Sequence, residues 1–308
     1  LPFYRQVQIF KRQNVEIPES TIGGWFNASS KLLEPLYETL RGLILSRDYL
    51  QVDETPIPVL TKDKPGSTHK GYHWVYYDPG SKQVLFNYQP SRERAGPDEM
   101  LENFCGYLQT DGYAAYNNLK NQANITQLAC MAHARRKFEH AKDNEPDLVA
   151  QIIDMFSDLY DIEREAREKN LSHEEIKTLR LLKAPAILEK MKTWLDDKLL
   201  TVPPKSAFGN AVAYTLNLWP RLIRYLDDGR FQIDNNLIEN SIRPVALGRK
   251  NYLFAGSHEA AQNAAMIYSL LASCKINNID PFIWLKDTLS VITDWPVNQL
   301  HMLLPGQK

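Results

Sequence analysis

The feature of this sequence that most constrains its fold is an apolar run with an acid in its middle. Residues 49 to 60 read YLQVDETPIPVL, so aliphatic residues flank Asp53 on both sides. This composition predicts a buried β-strand. Burying an unpaired carboxylate costs several kcal/mol, so a buried Asp53 needs a metal ion, an arginine or a protonated neighbour. The same run therefore predicts both a core strand and a functional site.

Composition narrows the class of protein. The chain has 308 residues, 44% of them hydrophobic, which is enough for one large core or two smaller ones. No apolar run reaches the roughly 18 residues that span a bilayer, and no charged-then-apolar leader opens the sequence. We therefore expect a cytoplasmic protein with no membrane partner. Position 1 is Leu rather than Met, which is typical of a fragment or a processed chain.

Net charge and cysteine content limit how this protein can bind nucleic acid or zinc. The net charge is −1, from 36 Lys+Arg and 37 Asp+Glu, so any nucleic acid must be attracted by local patches. Cys105, Cys130 and Cys274 lie far apart and lack the close pairs of a zinc module. A reduced compartment without a structural disulfide is the simplest expectation.

The N-terminal segment, residues 1–47, is predicted to be helical with a break at residues 17–20. A helix, a turn and a second helix beside Lys11, Arg12 and Trp25 is a pattern that contacts DNA in other proteins. Two helices that simply pack on each other explain the pattern equally well.

Residues 48–142 alternate between strands and helices after an initial run of strands. The order is three strands, helix, strand, helix, strand, helix, which predicts a ribonuclease H-like α/β core with a mixed five-stranded sheet. In such a core the first and fourth strands are neighbours. A polar loop is predicted over residues 61–70. The predicted strands are residues 49–60, 71–79, 82–90, 106–111 and 125–129, and the predicted helices are residues 92–105, a segment from Tyr113 and residues 130–141.

The remaining chain divides into two parts. Residues 143–229 carry apolar residues at helical spacing, with Ser172 and Glu175 as a capping box, and predict an all-helical insertion. Residues 230–308 predict a core helix followed by a basic loop, two further helices and a loosely held tail after Trp295.

Three acids are candidates for a shared metal site. Asp53 lies on the first strand, Asp111 ends the fourth, and Glu239 lies on the helix after the insertion. Two divalent ions about 4 Å apart, held by hard oxygen ligands, stabilise both oxygens of a phosphodiester displacement. Simpler interpretations stay open: Asp53 begins a turn, Asp111 belongs to an Asp-Gly turn, and Glu239 completes a capping box. Asp234 competes with Glu239 for the third position.

Two basic clusters would border these acids in the predicted fold. A phosphate backbone that enters a carboxylate site needs flanking cations, because the acids otherwise repel it. The alternative interpretation of each cluster is a solvated helix face. The alternative interpretation of His133 is a core histidine. The first cluster is His133, Arg135, Arg136 and Lys137, and the second is Arg243, Arg249 and Lys250.

Four segments resemble the catalytic region of bacterial insertion-sequence transposases of the sixty-six family, which belong to the DDE class. The resemblance covers residues 50 to 289, loosely in the helical part. Its most specific part is the run from Asp-Asn-Asn through Arg-Pro and Gly-Arg-Lys-Asn to Phe-Ala-Gly. The segments are LQVDETPIPVL, GYLQTDGYAAY, CMAHARRKF and IDNNLIENSIRPVALGRKNYLFAGSHEAAQNAAMIYSLL.

The resemblance implies Asp53, Asp111 and Glu239 as a catalytic, metal-binding triad, and it favours Glu239 over Asp234. It implies two Mg²⁺ ions, replaceable by Mn²⁺, in a nucleoid-associated enzyme that cleaves transposon ends and joins them to target DNA. It also implies a homo-oligomer on DNA and small accessory proteins of the element. Many relatives have Arg where this chain has Asn240, and relatives carry an upstream coiled segment and zinc-binding region that this sequence does not show.

Two rival functions share this fold. One is a catalytically silent protein that binds DNA or assists assembly, and the other is a metal-dependent nuclease without strand transfer. An intact set of three acids argues against the silent protein.

Overall fold

A computed structural model of the chain describes residues 2–61, 66–120 and 122–307. Residues 62–65 of the predicted polar loop lie outside this range. None of the described helices combines the length and apolar character needed to cross a membrane.

The strands are β1 (Tyr49–Leu60), β2 (Thr68–Asp78), β3 (Gln83–Gln89), β4 (Gly106–Thr110) and β5 (Ile125–Ala129). The helices are α1 (Phe3–Arg12), α2 (Glu19–Leu45), α3 (Ala95–Met100), α4 (Met131–Glu139), α5 (Pro146–Glu168), α6 (His173–Thr201), α7 (Ala207–Leu222), α8 (Asn236–Tyr252), α9 (His258–Ile276) and α10 (Pro281–Val291).

The strands form one five-stranded sheet in the order β3-β2-β1-β4-β5. β1 pairs with β2, and β2 with β3, in antiparallel register, so that Asp53 lies opposite Val75 and Thr55 opposite His73. The mixed α/β class with a five-stranded sheet is therefore confirmed.

The chain divides into two compact units. Unit 1 comprises Leu1–Gly106, Asn118–Ile125 and Leu237–Lys308, and unit 2 comprises Tyr107–Asn117 and Thr126–Asn236. Each unit is described separately below.

The core of unit 1 lies between the odd-numbered face of β1 and helices α8 and α9. Alternate side chains of a strand point to opposite faces, so the odd-numbered residues of β1 share one side of the sheet. β1, β2, β3, α8 and α9 contribute apolar side chains that are 8% exposed or less. They include Ile57 and Val59 of β1, Val75 of β2, Phe86 of β3, Ile238 and Val245 of α8, and Ala261, Ala265 and Ala272 of α9.

The outer edge of β3 is covered by serine hydroxyls of α9. The Ser269 Oγ accepts a hydrogen bond from the backbone N of Phe86 at 2.8 Å, and the Ser273 Oγ accepts one from the backbone N of Val84 at 3.1 Å. Both serines are fully buried, and the many alanines of α9 let the helix approach this closely. The unpaired N–H groups of an edge strand are thereby satisfied within the chain.

Unit 2 contains a buried ion pair that joins helices α5 and α6. Arg180 of α6 donates from Nε and Nη2 to the two carboxylate oxygens of Glu163 of α5, at 2.8 and 2.7 Å. Its Nη1 donates to the backbone carbonyls of Tyr225 and Asp228. The predicted capping box of Ser172 and Glu175 is present at the start of α6.

Two predicted helices are shorter in the structure than expected. The helix expected from Tyr113 is a short 3₁₀ helix, Ala114–Asn118, and α3 ends at Met100 rather than near Cys105. Asn is a weak helix former because its side chain competes for backbone hydrogen bonds, and the first of these segments is rich in Asn.

Two C-terminal predictions are also corrected. The basic segment around Arg249, expected as a loop, is the last turn of α8. The tail expected to be loose forms a 3₁₀ helix, Val297–Leu303, in which Leu300 is buried. The indole Nε1 of Trp284 donates to the Leu303 carbonyl at 3.0 Å, so an aromatic side chain of α10 fixes the tail.

Candidate functional site

Asp53 lies within an unbroken strand. β1 continues to Leu60, so the interpretation of Asp53 as the start of a turn is wrong. The carboxylate is half-buried, and its Oδ1 accepts a hydrogen bond from the backbone N of Glu54 at 2.8 Å. Glu54 points to the opposite face, where it is paired with Arg92 through an Nε–Oε1 contact of 2.7 Å. The two adjacent acids of β1 therefore have different environments.

Helix α8 is fastened along the face of β1 that carries Asp53. The Gln51 Oε1 accepts a hydrogen bond from the backbone N of Ile238 at 3.3 Å, in the first turn of α8. In the last turn, Arg249 Nη1 donates to Thr55 Oγ1 at 2.9 Å. Gln51, Asp53 and Thr55 share one face, so the two bonds bracket Asp53. The turn that carries Glu239 lies over this same face.

Asp234 has a structural role at the start of α8. Its Oδ1 accepts a hydrogen bond from the backbone N of Asn236 at 2.9 Å, and its Oδ2 accepts from the Asn236 side chain at 2.7 Å. The Tyr160 hydroxyl also donates to Oδ2, at 2.9 Å. Asp234 thus satisfies backbone and side-chain donors where α8 begins.

In unit 2, helix α7 holds the turn that contains Asp111. The Tyr214 hydroxyl donates to the Asp111 carbonyl at 2.5 Å, and Asp111 Oδ1 accepts from the backbone N of Tyr113 at 2.8 Å. Gly112 has a φ of +85°, and a Cβ there would lie 2.7 Å from Leu218 Cδ1. Glycine is required both by this backbone conformation and by the close approach of α7.

Tyr214 was not predicted as a site residue. Burial raises the pKa of its phenol, and the nearby Asp111 raises it further, so the hydroxyl stays protonated and able to donate. Its position 103 residues from Asp111, within an amphipathic helix, gives no local sequence signal of this contact.

The first basic cluster lies on α4 in unit 2. Arg136 and Lys137 are exposed, and Lys137 Nζ is 5.3 Å from the ring centroid of Tyr214, the residue that holds Asp111. Arg135 is paired with Glu139 at 3.1 Å, and Arg136 Nη1 lies 3.4 Å from His133 Nε2.

The second basic cluster lies on α8 in unit 1 and divides by exposure. Arg243 and Lys250 are exposed to solvent. Arg249 is only partly exposed, and its Nη1 donates to Thr55 Oγ1 and to the Pro56 carbonyl. Arg249 therefore fastens α8 to β1, whereas Arg243 and Lys250 face solvent.

The three candidate acids are divided between the units. Asp53 and Glu239 belong to unit 1, and Asp111 belongs to unit 2. Within residues 2–61, 66–120 and 122–307, no three His, Cys, Asp or Glu side chains form a group that could hold a metal ion.

His73 is a buried histidine on the same face of the sheet as Asp53. It lies opposite Thr55 in the β1–β2 register, and neither ring nitrogen has a hydrogen-bond partner. Phe86, Tyr88 and Tyr268 surround its ring. Burial lowers the pKa of His73 to about 4, and the positive charge of Arg249 lowers it further in the same direction.

We expect His73 to make the chain less stable in mild acid. Because the folded-state pKa lies below the unfolded value, the unfolded chain binds the proton first as the pH falls. The stability that neutral His73 gives the folded chain is complete above about pH 6.5 and is lost as the pH falls towards 4. The loss in unfolding free energy is about 3 kcal/mol in total. Urea unfolding at pH 7.0, 5.5 and 4.5 would measure it. His73→Phe should flatten this dependence, and exposed His140→Gln serves as the matched control. Equal slopes in the unchanged chain and His73→Phe would contradict the assignment.

Comparison with known proteins assigns the family. The family described as Transposase IS66 matches residues 1–263, and the IS66 C-terminal element matches residues 269–305. Two Sinorhizobium fredii proteins, y4jD and y4qI, both described as uncharacterized, are each 34% identical over 99% of this chain. The chain covers 62% and 59% of their lengths, about three fifths of each. Escherichia coli YuaK, also uncharacterized, is 39% identical over 49 residues, 16% of this chain. This chain belongs to the IS66 family of transposases.

Proposed function

We propose that this chain is the catalytic core of a DDE-class DNA transposase with a ribonuclease H-like fold. Asp53, Asp111 and Glu239 would hold two Mg²⁺ ions, or Mn²⁺ in their place. The observation that carries the proposal is the fastening of α8 along β1. Hydrogen bonds at Gln51 and Thr55 bracket Asp53 and hold the Glu239-bearing turn over the same face. This arrangement suits two acids that serve one site.

The three proposed ligands are chemically suited to Mg²⁺. Carboxylate oxygens are the hard ligands that Mg²⁺ prefers, and the three proposed ligands are all carboxylates. A pair of divalent ions, when bound, would supply nucleophile activation and offset the charge that develops at phosphorus. Of the other side chains, Tyr214 would keep the Asp111 turn in place through its bond to the Asp111 carbonyl.

The proposed reaction has two displacements at phosphorus. Water attacks the phosphorus at the element's end, the bond to the 3′-oxygen breaks, and a free 3′-hydroxyl remains. That hydroxyl then attacks a phosphorus of target DNA and displaces another 3′-oxygen. Exposed Arg136, Lys137, Arg243 and Lys250 would contact the phosphate backbones and hold them near the acids.

The proposed assembly includes more than one chain. Transposition joins two ends of an element, so we propose a homo-oligomer on DNA, assisted by small accessory proteins and acting at the nucleoid. The helical insertion, residues 143–229, would brace the DNA or a second subunit. The buried pair of Arg180 and Glu163 joins two helices of this region.

The test is a strand-joining assay with the purified chain, Mg²⁺, labelled duplexes that carry the terminal repeats of its element, and a supercoiled target plasmid. We expect labelled ends to be cut and joined to the plasmid. Reactions with EDTA in place of Mg²⁺ are the control.

The rival functions give different products in this assay. Cuts without joining would indicate a metal-dependent nuclease, and binding without cuts would indicate a silent DNA-binding protein. Either result, obtained with correctly folded chain, would contradict the proposed transposase.

A further inference from the structure

The exposed side of α8 forms a stripe suited to a polyanion. Its exposed residues follow helical spacing and include amides, cations and leucines, with no acid among them. Arg5 of α1 adds a further cation, because its Nη1 lies 3.4 Å from Asn251 Oδ1 at the end of the stripe. We define the α8 stripe as the exposed residues Asn236, Leu237, Asn240, Arg243, Leu247, Lys250 and Asn251.

The stripe ends at two exposed apolar residues. Leu253 is 65% exposed and Phe254 is 40% exposed. We call this pair the apolar tip. Leu253 is largely exposed and Phe254 keeps a substantial exposed face, so packing within the chain does not fully account for the pair.

The backbone at the apolar tip is strained. Leu253 has a φ of +61°, directly after the last residue of α8. At this position glycine or asparagine is favoured, and a residue with a Cβ in the left-handed region costs roughly 1 kcal/mol or more. The other described non-glycine residues with positive φ are three asparagines and Lys82. The strain keeps an apolar side chain exposed where a glycine would fit better.

Both ends of the apolar tip are fixed. On one side, the backbone N of Leu253 donates to the Arg249 carbonyl at 3.1 Å, and Arg249 is fastened to β1. On the other side, Ala255 is buried and pairs with the end of β1: its N donates to the Pro58 carbonyl at 2.8 Å, and its carbonyl accepts from Leu60 at 2.9 Å. The tip is therefore a short, stiff projection.

We propose that Leu253 and Phe254 insert between base pairs of duplex DNA that lies along the α8 stripe. Apolar side chains wedged into a base step unstack it and kink the duplex, and flanking cations hold the phosphates on either side. Arg243, Lys250 and Arg5 supply those cations. The inference rests on the proposed function, because it takes the element's DNA as the occupant.

The geometry of the helix gives the position of the insertion. Glu239 and Tyr252 are 13 residues apart on α8, which corresponds to about 20 Å along the axis. At 3.4 Å per base pair, the unstacked step lies about six base pairs from the phosphate that is cut. The length of α8 thus sets the spacing between the Glu239 turn and the wedge.

The test measures base unstacking without catalysis. Duplexes carrying the terminal repeat contain 2-aminopurine, whose fluorescence rises when it unstacks, at single positions from two to ten base pairs from the element's end. They are titrated to saturation with the full chain in EDTA, and binding is followed in the same samples by fluorescence anisotropy. We expect a rise of about threefold or more, centred about six base pairs from the end.

Variants separate insertion from phosphate contact. The double variant Leu253→Asn/Phe254→Ser should bind DNA with similar affinity and lose the fluorescence rise, and it should fold, because Asn tolerates the left-handed backbone at position 253. Lys250→Ala should weaken binding and retain the rise at saturation. The matched control is Phe282→Ser/Ile283→Asn, an exposed apolar pair on α10, which should change neither.

Two results would overturn the inference. The first is bound wild-type chain with no rise at any position, and the second is a rise that persists in the tip variant. If that variant keeps the rise and also loses self-association during sedimentation of the free chain, the tip is a contact between copies instead. Absence of DNA binding by the wild-type chain, by contrast, would count against the proposed function itself.

Discussion

The Asp53→Asn variant should fold as the unchanged chain does and lose DNA cleavage by about 1,000-fold or more. Asparagine has nearly the same volume as aspartate and can still accept the hydrogen bond from the backbone N of Glu54. It lacks the negative charge that makes aspartate a strong ligand for a divalent cation. Cleavage of labelled terminal repeats in Mg²⁺, together with circular dichroism and urea unfolding, would measure both parts of the expectation.

The matched control for this variant is Glu54→Gln. Glu54 is adjacent in sequence but lies on the opposite face of β1, where its partner is Arg92. Removing its charge should reduce stability while leaving cleavage within a few-fold of the unchanged chain. If Asp53→Asn cleaved at a rate close to that of Glu54→Gln, Asp53 would have no part in the chemistry. Loss of folding in Asp53→Asn would instead indicate a purely structural acid.

Glu163→Gln should strongly destabilise unit 2. Its side chain is 9% exposed and that of Arg180 is 2% exposed, so the guanidinium would keep its charge in the interior without a counterion. Breaking a buried pair from one side costs about 3–5 kcal/mol of unfolding free energy. Urea unfolding followed by tryptophan fluorescence would measure the loss of unfolding free energy. The helix content should also decrease.

Glu165→Gln is the appropriate control for that experiment. Hydrogen bonds from Lys169 and Lys183 lower the pKa of Glu165 to about 2, but both lysines are largely exposed. Solvent and salt screen such pairs, so this change should alter stability only slightly. Similar losses for Glu163→Gln and Glu165→Gln would show that burial of the Arg180 pair contributes little.

The parts of the fold that were predictable are those with strong local patterns. β1 was predicted at its observed ends because its apolar run is bounded by polar segments, and the capping box of Ser172 and Glu175 predicted the start of α6. Helix length was less predictable. The segment after Gly112 and the segment after Met100 carry helical patterns, but neither continues as an α-helix.

The three candidate acids were chosen from the sequence, and their role stays a prediction; the contacts around them were not predicted. Asp53 stands out because a charged residue interrupts an apolar strand. The contacts that surround the acids join residues more than 100 positions apart, as between Gln51 and Ile238 or Asp111 and Tyr214, and no local pattern records them. Arg249 is an example: the basic cluster predicted a phosphate contact for it, and no sequence pattern predicted its hydrogen bond to Thr55 of β1.

The serine hydroxyls that cover β3 have a consequence for how this protein can assemble. An open strand edge recruits other strands, and it is a common route to amyloid-like aggregation. With Ser269 and Ser273 already accepting from the N–H groups of Phe86 and Val84, strand addition by a neighbouring molecule is disfavoured there. Multimers of this chain that form on that side must therefore be built from helical surfaces, which separate and re-form without disturbing the sheet.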